Sequence, residues 1–160
     1  MPIPDFVAQL RRSVGHDLLW LPSVTAVVVD ETGRILLNRR RDTGLWSAIS
    51  GILEPGEQPA AGIVREVFEE TGVRVVPEYV SSVYAEPPLI HLNRDRSQYL
   101  NVTFRCRPVG GEAKVNDDES IDVAWFSPAE LPALNTATHL LIEHALSDST
   151  DCRFVCPDGE

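Results

Sequence analysis

Hydrophobic residues follow a strand-like pattern over much of the chain. Two β-rich runs in "SVTAVVVDETGRILLNRR" (23–40) flank a turn with a late glycine, Gly33, and this arrangement predicts a β-hairpin. Three further segments have the composition of strands: "YVSSVYAE" (79–86), "QYLNVTFRCRPV" (98–109) and "IDVAWFS" (121–127). Because strands stand on both sides of a predicted central helix and more helices follow, we expect an α/β fold with a mixed sheet covered by helices.

Helical patterns occur near both ends of the chain. A leading helix is predicted at about residues 4–15, with Asp5 as N-cap and Gly15 at its end. Its expected apolar stripe consists of Phe6, Val7, Leu10 and Val14. A closing helix is predicted over "TATHLLIEHALSD" (136–148), after a helical turn at "SPAELPAL" (127–134). The residues expected on the inner face of the closing helix are Leu140, Leu141, His144 and Ala145.

The segment 51–73, "GILEPGEQPAAGIVREVFEETGV", predicts an amphipathic helix from about Pro59 to Gly72. At about 100° per residue, its expected apolar arc consists of Ala60, Ile63, Val64, Val67 and Phe68. An adjacent arc carries Glu66, Glu69 and Glu70.

The three clustered glutamates lower the stability of this helix. Glu66 and Glu70 are like charges at i, i+4, and acidic groups late in a helix also oppose the helix dipole. A hard divalent cation such as Mg²⁺ or Mn²⁺ would offset this repulsion, since such ions prefer oxygen ligands. Arg65 can pair with Glu69 or reach back to Glu57. The alternative interpretation is a solvated acidic face without a metal.

Composition limits the classes of function. The 160 residues suit one domain, 1–160, and the net charge of −10 disfavours broad nucleic-acid or anionic-membrane binding. A small phosphate-bearing ligand remains compatible with this charge, because local arginines or a divalent cation can reverse the field within a pocket.

The ends of the chain and its cysteines suggest a cytoplasmic protein. We find no signal-peptide or transmembrane pattern, and the sparse Cys106, Cys152 and Cys156 favour a reducing compartment. Cys152 and Cys156 lack two further ligands at zinc-site spacing, so zinc is disfavoured. Residues 148–160 are expected to form a loose tail in which only Phe154 and Val155 could dock.

The spacing of the whole 51–73 segment is specific. It fits G-x5-E-x7-R-E-U-x-E-E-x-G-U, where U is a bulky aliphatic residue. All nine specified positions are filled: Gly51, Glu57, Arg65, Glu66, Val67, Glu69, Glu70, Gly72 and Val73. The segment therefore resembles the Nudix box, and the flanking sequences over roughly 24–132 resemble the usual surroundings of this box.

The resemblance implies an α/β/α sandwich with a mixed central sheet, and a metal-dependent hydrolase of nucleoside diphosphates linked to another group X. By analogy, Glu66 and Glu70 are the principal metal ligands, and Glu69, Glu57 and the Ser50 carbonyl are further candidates. Arg65 is implied to orient these groups. Many relatives have Pro-Gly-Gly where this chain has Ile49-Ser50-Gly51, so the shape of the loop beside the box glycine is left open.

The general base has two candidates under this resemblance. In some relatives it lies within the box, which here indicates Glu66. In others it comes from a downstream loop, where "NDDESIDVAWF" (116–126) supplies Asp117, Asp118, Glu119 and Asp122. Glu119 stands where relatives often carry a glutamate; the alternative is a solvated acidic turn.

Arginines after the "RILLN" strand are candidate ligands for substrate phosphates. Alternation along the strand places Arg39 and Arg41 on one side and Arg40 on the other. A solvent-exposed charge run is the competing interpretation, and Arg94, Arg96 and Arg105 are weaker candidates.

The nucleoside and X are poorly specified by the sequence. Pro88 lies 16 residues after Gly72, close to a proline that marks ADP-ribose hydrolases in this family. Aromatic residues that could stack on a base, or else serve the core, are Trp46, Tyr84, Tyr99 and Trp125. His91 lies in a predicted mobile loop, while His139 and His144 are expected to be structural.

Two other functions fit the fold. One is a catalytically silent Nudix module that senses a ligand, although the complete box favours catalysis. The other is a Nudix-fold isomerase or acyl-CoA-type hydrolase, which the fold alone does not separate from the leading hypothesis. Relatives often dimerise, so a homodimer is a further expectation, in which the leading segment either swaps or packs across a two-fold axis.

Overall fold

The computed structural model describes residues 3–155. Within this range the helices are α1 (Asp5–Val14), α2 (Pro59–Thr71) and α3 (Thr136–Leu146), with a 3₁₀ turn at Pro128–Glu130. The strands are β1 (Leu19–Val29), β2 (Ile35–Arg40), β3 (Trp46–Ser47), β4 (Ile49–Ile52), β5 (Val73–Ala85), β6 (Leu89–Ile90), β7 (Arg96–Gly111) and β8 (Ser120–Phe126). The predicted hairpin, central helix and later strands are confirmed.

The strands form one mixed sheet, as expected. β1 runs parallel to β7, and β7 pairs in turn with antiparallel β5. At the other side, β2 pairs antiparallel with both β1 and β8. The long β1–β7 and β5–β7 ladders thus make up one side of the sheet.

The short β3 and β4 strands lie between β1 and β2. The β1–β2 ladder covers only Val28↔Leu36 and Val29↔Ile35, next to the hairpin turn. Farther from the turn, β4 takes the free edge of β1 and β3 pairs with β2 through Asn38↔Ser47. The chain segment 46–52 is thereby brought to the middle of the sheet, beside the start of the box.

Alternate side chains of the sheet face two different helices. On one face, a cluster with Val24, Val28 and Leu36 packs with Ile63 and Val67 of α2. On the other face, Val27, Val29, Ile35 and Leu37 pack with residues of α3. The protein is therefore an α/β/α sandwich, the fold class that the sequence predicts.

Details of the outer helices differ from the sequence prediction. The N-cap of α1 is Pro4, and Asp5 is instead the first helical residue. In the predicted stripe, Val7 is buried, whereas Leu10 and Val14 are exposed. Polar contacts add to this packing, because Arg11 donates to the Arg96 carbonyl and to Ser97 Oγ at the start of β7.

The inner face of α3 is rotated from the prediction. Its buried residues are Thr138, Leu141, Ile142 and Ala145, which follow the i, i+3, i+4, i+7 spacing of a helix face. Leu140 is exposed and His144 is only partly buried. The polar Thr138 completes the stripe, and a hydrophobic pattern alone does not include it.

The described part of the tail docks through its backbone. The Arg153 N–H donates to the Ser81 carbonyl, and the Val83 N–H donates to the Arg153 carbonyl, both at 2.9 Å. Phe154 and Val155, the predicted docking residues, are exposed. Cys152 is a free thiol. Cys156 lies outside the described residues, so the prediction that these two cysteines do not bind zinc stays a prediction. Among residues 3–155, no helix has the length and hydrophobicity to span a membrane.

Candidate active site

The box segment folds as a loop, α2, and a left-handed glycine stop. Pro59 lies in the first turn of α2, and Gly72 ends the helix with φ 70°, a conformation that glycine adopts without strain. The buried face of α2 includes Gly62, Ile63, Glu66, Val67 and Glu70. Ala60 and Phe68, which were predicted to face the core, are exposed. Two box glutamates therefore face inward, and an exposed acidic face is wrong for them.

Arg65 binds three of the four glutamates that stand at specified positions of the box. Its guanidinium binds Glu57 through two hydrogen bonds of 2.8 and 2.9 Å, which fix the loop before the helix. It also donates to Glu66 at 2.9 Å and to the exposed Glu69 at 3.1 Å. The hydrogen bonds from Arg65 outweigh burial and lower the pKa of Glu57. Arg65 thus makes both contacts that the sequence offered as alternatives.

Glu66 packs against the glycine that opens the box. Only 4% of Glu66 is exposed, and a Cβ at Gly51 would overlap its carboxyl group. The absence of a side chain at position 51 is therefore a packing requirement. Ser50, the residue before Gly51, pairs with Thr25 of β1 and so is held on a central strand. The role of the Ser50 carbonyl stays a prediction.

Glu70 accepts a hydrogen bond from a neutral side chain of the sheet, Asn38. It is 6% exposed, and its Oε2 accepts a hydrogen bond of 2.5 Å from the amide of Asn38. Asn38 also donates to Ser120 Oγ at 3.3 Å and accepts from Ser47 Oγ at 2.9 Å. The sequence analysis missed this asparagine. Its signal is a single polar residue that ends the apolar run Ile35–Leu37 on a central strand.

Burial controls the protonation of the two inward glutamates. Desolvation raises the pKa of Glu66 to about 7, although Arg65 opposes the change. Desolvation, followed by the charges of Glu66 and Asp117, raises the pKa of Glu70 to about 8. These two carboxyl groups are therefore close enough to disfavour each other's ionised form, which is the electrostatic setting in which a bound cation is stabilising.

The loop between β7 and β8 caps the end of α2. Lys114 N–H donates to the Thr71 carbonyl, and Asn116 donates to the Glu70 carbonyl from its backbone and to the Phe68 carbonyl from its side chain. These bonds satisfy carbonyls that a helix end leaves unpaired. As a result, the loop with Asp117 and Glu119 borders the box.

Glu119 occupies a defined position in that loop. Its N–H donates to Asp117 Oδ1, and its carbonyl accepts from the Arg41 N–H at 2.7 Å. The next residue, Ser120, is fully buried and shares the Asn38 amide with Glu70. Ser120 and Asn38 thus connect Glu119 to the buried Glu70. The catalytic role of Glu119 stays a prediction.

The three arginines at the end of β2, Arg39 to Arg41, lie in different surroundings. Arg39 is exposed and donates to the Gly44 carbonyl, and Arg41 is exposed and donates to the Asp118 carbonyl. Arg40 forms an ion pair with Asp42. This pairing raises the pKa of Arg40 and outweighs burial, which lowers it. Glu70 also contributes to that shift. Arg40 is therefore an additional candidate beside the box.

Most of the other candidates lie away from the box. Arg105 lines a cleft of about 480 Å³ at the β1–β2 turn, where Arg105 and Arg107 face Glu78. Trp46 packs edge-to-face on Phe126, with ring centroids 4.8 Å apart. Pro88 and His91 are exposed. The remaining candidates that pack against the two cores are Tyr84 and Trp125.

The fold and the site define a class of protein: an α/β/α sandwich whose central loop–helix–loop buries paired carboxylates. Residues 19–144 match the NUDIX domain, and the chain belongs to this family. A MutT-like protein of Streptomyces ambofaciens is 41% identical over 109 residues, which cover 68% of this chain and 65% of that protein. The chain thus spans just under two thirds of the length of this relative.

Two further relatives extend the comparison. The ADP-ribose pyrophosphatase of Methanocaldococcus jannaschii is 30% identical over 130 residues, covering 78% of this chain and 73% of that protein. A solved ADP-ribose pyrophosphatase of Streptococcus suis superposes with a TM-score of 0.65 at 28% identity, covering 84% of this chain and 98% of that chain. Both of these proteins are named ADP-ribose pyrophosphatase, and the family match covers most of this chain.

Nudix hydrolases generally use divalent metals, and the donor set of this chain fits such an ion in chemical terms. Glu66 and Glu70 are buried oxygen donors with mutual repulsion, the pair that a hard cation would stabilise. Within residues 3–155, no three acidic, histidine or cysteine side chains already converge on one point. Arg65 forms ion pairs with Glu57, Glu66 and Glu69.

Proposed function

We propose that the protein is a Mg²⁺-dependent pyrophosphohydrolase that cleaves a nucleoside diphosphate linked to a group X, with water attacking phosphorus. The observation that carries this proposal is the burial of Glu66 and Glu70 side by side, at 4% and 6% exposure. Burying two interacting carboxyl groups opposes folding unless a cation compensates them. Mn²⁺ has similar ligand preferences and should substitute.

The proposed ligands of the ion are Glu66 and Glu70, with Glu69, Glu57 and the Ser50 carbonyl as further ligands. Mg²⁺ would neutralise charge on the phosphoryl oxygens and lower the pKa of the attacking water. Arg65 orients the carboxylates, since its guanidinium already holds three of them. Glu69 is the most accessible of those three, with 56% of its side chain exposed.

The proton of the attacking water is proposed to pass to a carboxylate oxygen, either of Glu119 or of Glu66. The position of the Glu119 loop against the end of α2 supports Glu119. Glu66 is the alternative, because the general base lies within the box in some relatives of the family. We expect variants of Glu119 and variants of Glu66 to differ in the pH dependence of turnover.

The substrate is proposed to contain a nucleoside diphosphate. The M. jannaschii relative is named for ADP-ribose, and a human relative, 31% identical over 135 residues, is named 8-oxo-dGDP phosphatase NUDT18. Both named substrates contain this group. Arg39 and Arg41 remain the proposed phosphate ligands. Arg40 joins them, because its charge lies close enough to interact with Glu70.

The test is a hydrolysis panel with purified full-length protein and Mg²⁺. Candidate substrates are ADP-ribose, NADH, dinucleoside polyphosphates, and 8-oxo-dGDP and 8-oxo-dGTP, with chromatography of products to locate the broken bond. We expect cleavage within the phosphoanhydride of at least one compound, lost on EDTA addition. Binding without turnover of any compound would contradict catalysis and favour the ligand-sensing alternative.

A pair of variants tests the metal assignment. Glu70→Gln keeps the shape of the side chain but removes its charge, and we expect turnover to fall by about 10²-fold or more. Glu143→Gln changes an exposed glutamate on α3 and should leave turnover unchanged. Full activity of Glu70→Gln would refute the assignment.

The proposed setting is the cytoplasm, with a small-molecule substrate and no nucleic-acid or membrane partner. The charge of −10 disfavours nucleic-acid and anionic-membrane partners, and the sparse cysteines favour a reducing compartment. A homodimer is proposed in addition, and light scattering after size exclusion would measure it.

A further inference from the structure

Asn38 connects the central sheet to the box helix. It is 5% exposed on β2, and its Nδ2 donates to Glu70 Oε2 at 2.5 Å. Ser120 Oγ accepts a second, longer bond of 3.3 Å from the same amide nitrogen. The amide therefore contacts one oxygen of the Glu70 carboxylate from inside the protein.

The orientation of this amide is fixed by a second strand. Ser47 of β3 lies opposite Asn38 in the ladder, and Ser47 Oγ donates to Asn38 Oδ1 at 2.9 Å. Because Oδ1 can only accept a hydrogen bond, this contact directs the amide N–H groups toward Glu70. Ser47 thus acts on Glu70 through Asn38.

Glu70 differs in this respect from the other box glutamates. Arg65 forms ion pairs with Glu57, Glu66 and Glu69. Asn38, in contrast, is neutral, so its hydrogen bond sets the direction of the Glu70 carboxylate without forming an ion pair. Such a contact orients a ligand and leaves its negative charge for a cation.

We propose that Asn38 is a positioning residue for the Glu70 carboxylate as a divalent-metal ligand, with Ser47 setting the orientation of the Asn38 amide. The proposal rests on the proposed function, in which Glu70 binds the metal. Loss of an outer contact of this kind weakens metal binding by about 10–100-fold. The same loss is expected for Asn38→Leu, which has a similar size and lacks the N–H donor.

Asn101 provides a matched control on the same sheet. It is 2% exposed, and its amide donates to Ser23, Thr25 and Glu86. Its neighbour Val102 packs toward α2, whereas the neighbour of Asn38, Leu37, packs toward α3. The two asparagines therefore face opposite sides of the sheet, and Asn101→Leu removes an equally buried amide that does not contact the box.

The experiment measures Mn²⁺ binding by electron paramagnetic resonance on the full chain after EDTA treatment, without substrate. We expect Asn38→Leu to raise the Mn²⁺ Kd by about 10–100-fold and Asn101→Leu to leave it unchanged. In turnover assays, the half-saturating Mg²⁺ concentration should rise for Asn38→Leu, while KM for the nucleotide at saturating Mg²⁺ stays near the wild-type value. A shift of the nucleotide KM alone would overturn the proposal.

Ser47→Ala keeps the proposal testable if Asn38→Leu does not fold, as judged by circular dichroism. Alone, Ser47→Ala should weaken Mn²⁺ binding, since it acts through Asn38, and unchanged Mn²⁺ binding would overturn the role of Ser47. Where Asn38→Leu does fold, the double variant should bind Mn²⁺ no more weakly than Asn38→Leu. Additive effects of the two changes would overturn the chain of contacts.

Glu70→Gln separates this proposal from the proposed function. If Glu70→Gln binds Mn²⁺ like the wild type, the metal assignment of Glu70 itself fails. If Glu70→Gln loses Mn²⁺ while Asn38→Leu and Ser47→Ala both bind it normally, only the positioning role fails.

Discussion

The carboxyl group of Glu66 lies directly against the α-carbon of Gly51, where a side chain would overlap it. This contact joins a central strand to the box helix and sets the location of a buried acid. We therefore expect Gly51→Ala to displace Glu66 and reduce turnover by about 10²-fold, because small displacements of catalytic groups have effects of this size. Steady-state kinetics would measure the loss.

Gly110 supplies the matched control for this change. A Cβ at Gly110 would contact no atom within 4 Å, and its φ is not in the left-handed region. Gly110→Ala should therefore keep turnover at the wild-type level. Equal turnover in the Gly51→Ala protein would show that the contact does not constrain the site.

Replacement of Arg65 should reduce stability as well as activity. Arg65→Met leaves three carboxylates without their shared cation, and we expect unfolding to become easier by about 1–3 kcal/mol in EDTA. Mg²⁺ should restore part of the difference, because a cation screens the same carboxylates. Urea titrations with and without Mg²⁺ would measure both quantities.

Arg65→Lys is the informative comparison for that variant. It keeps the charge but loses the two-pronged contact with Glu57, so its stability should lie between those of the wild type and Arg65→Met. A Lys variant as unstable as the Met variant would indicate that geometry alone matters.

Metal-free protein should become less stable as pH rises from about 5 to 8. The folded pKa values of Glu66 and Glu70, about 7 and about 8, lie above the unfolded value of 4.5. The folded state therefore binds more protons in this range, and the stability gained from the protonated forms is lost as pH rises through 7 to 8. Thermal unfolding in EDTA at several pH values would measure this loss.

Added Mg²⁺ should raise the melting temperature more at pH 8 than at pH 5.5, since metal and protons compete for the same oxygens. Glu70→Gln removes one of the two titrations, and its metal-free stability should depend less on pH. A metal-free wild type whose stability increases between pH 5 and 8 would contradict the assigned direction.

Glu119→Gln tests the downstream base. If Glu119 takes the proton, kcat should fall by about 10²–10⁴-fold and the acidic limb of the pH–rate profile should disappear. Glu143→Gln, which changes an exposed acid on α3, serves as the control. Retention of the acidic limb in Glu119→Gln would assign the proton acceptor to the box instead.

The fold could be predicted where local patterns were strong. Gly33 and its flanking runs identified the hairpin, and Pro59 and Gly72 identified both ends of α2. The face of α2 was harder to predict, because Glu66 and Glu70 are buried and Phe68 is exposed. Hydrophobicity assigns charged groups to solvent, so it fails where buried acids are a functional requirement.

Contacts between distant segments could not be predicted from the sequence. Asn38 meets Glu70 only because β3 and β4 lie between β1 and β2, an arrangement set by the sheet topology. The docking of Asn116 on the end of α2 depends in the same way on the return of β7 beside the box. Local sequence propensity does not specify such contacts, because they are determined by the topology of the sheet.

Insertions should affect two connections of the molecule very differently. The turn at 91–95 has bonds among its own residues, such as His91 to Asp95, and Asp95 also contacts Arg11 and His16 of the leading segment. None of these contacts reaches the box, so residues added before Asp95 would extend into water with little effect on turnover. In the second connection, in contrast, Lys114 and Asn116 donate hydrogen bonds to the carbonyls of Thr71, Glu70 and Phe68 at the end of α2. Lengthening that connection by even one residue would shift the acidic loop relative to the end of α2. Insertions are therefore better placed in the turn at 91–95.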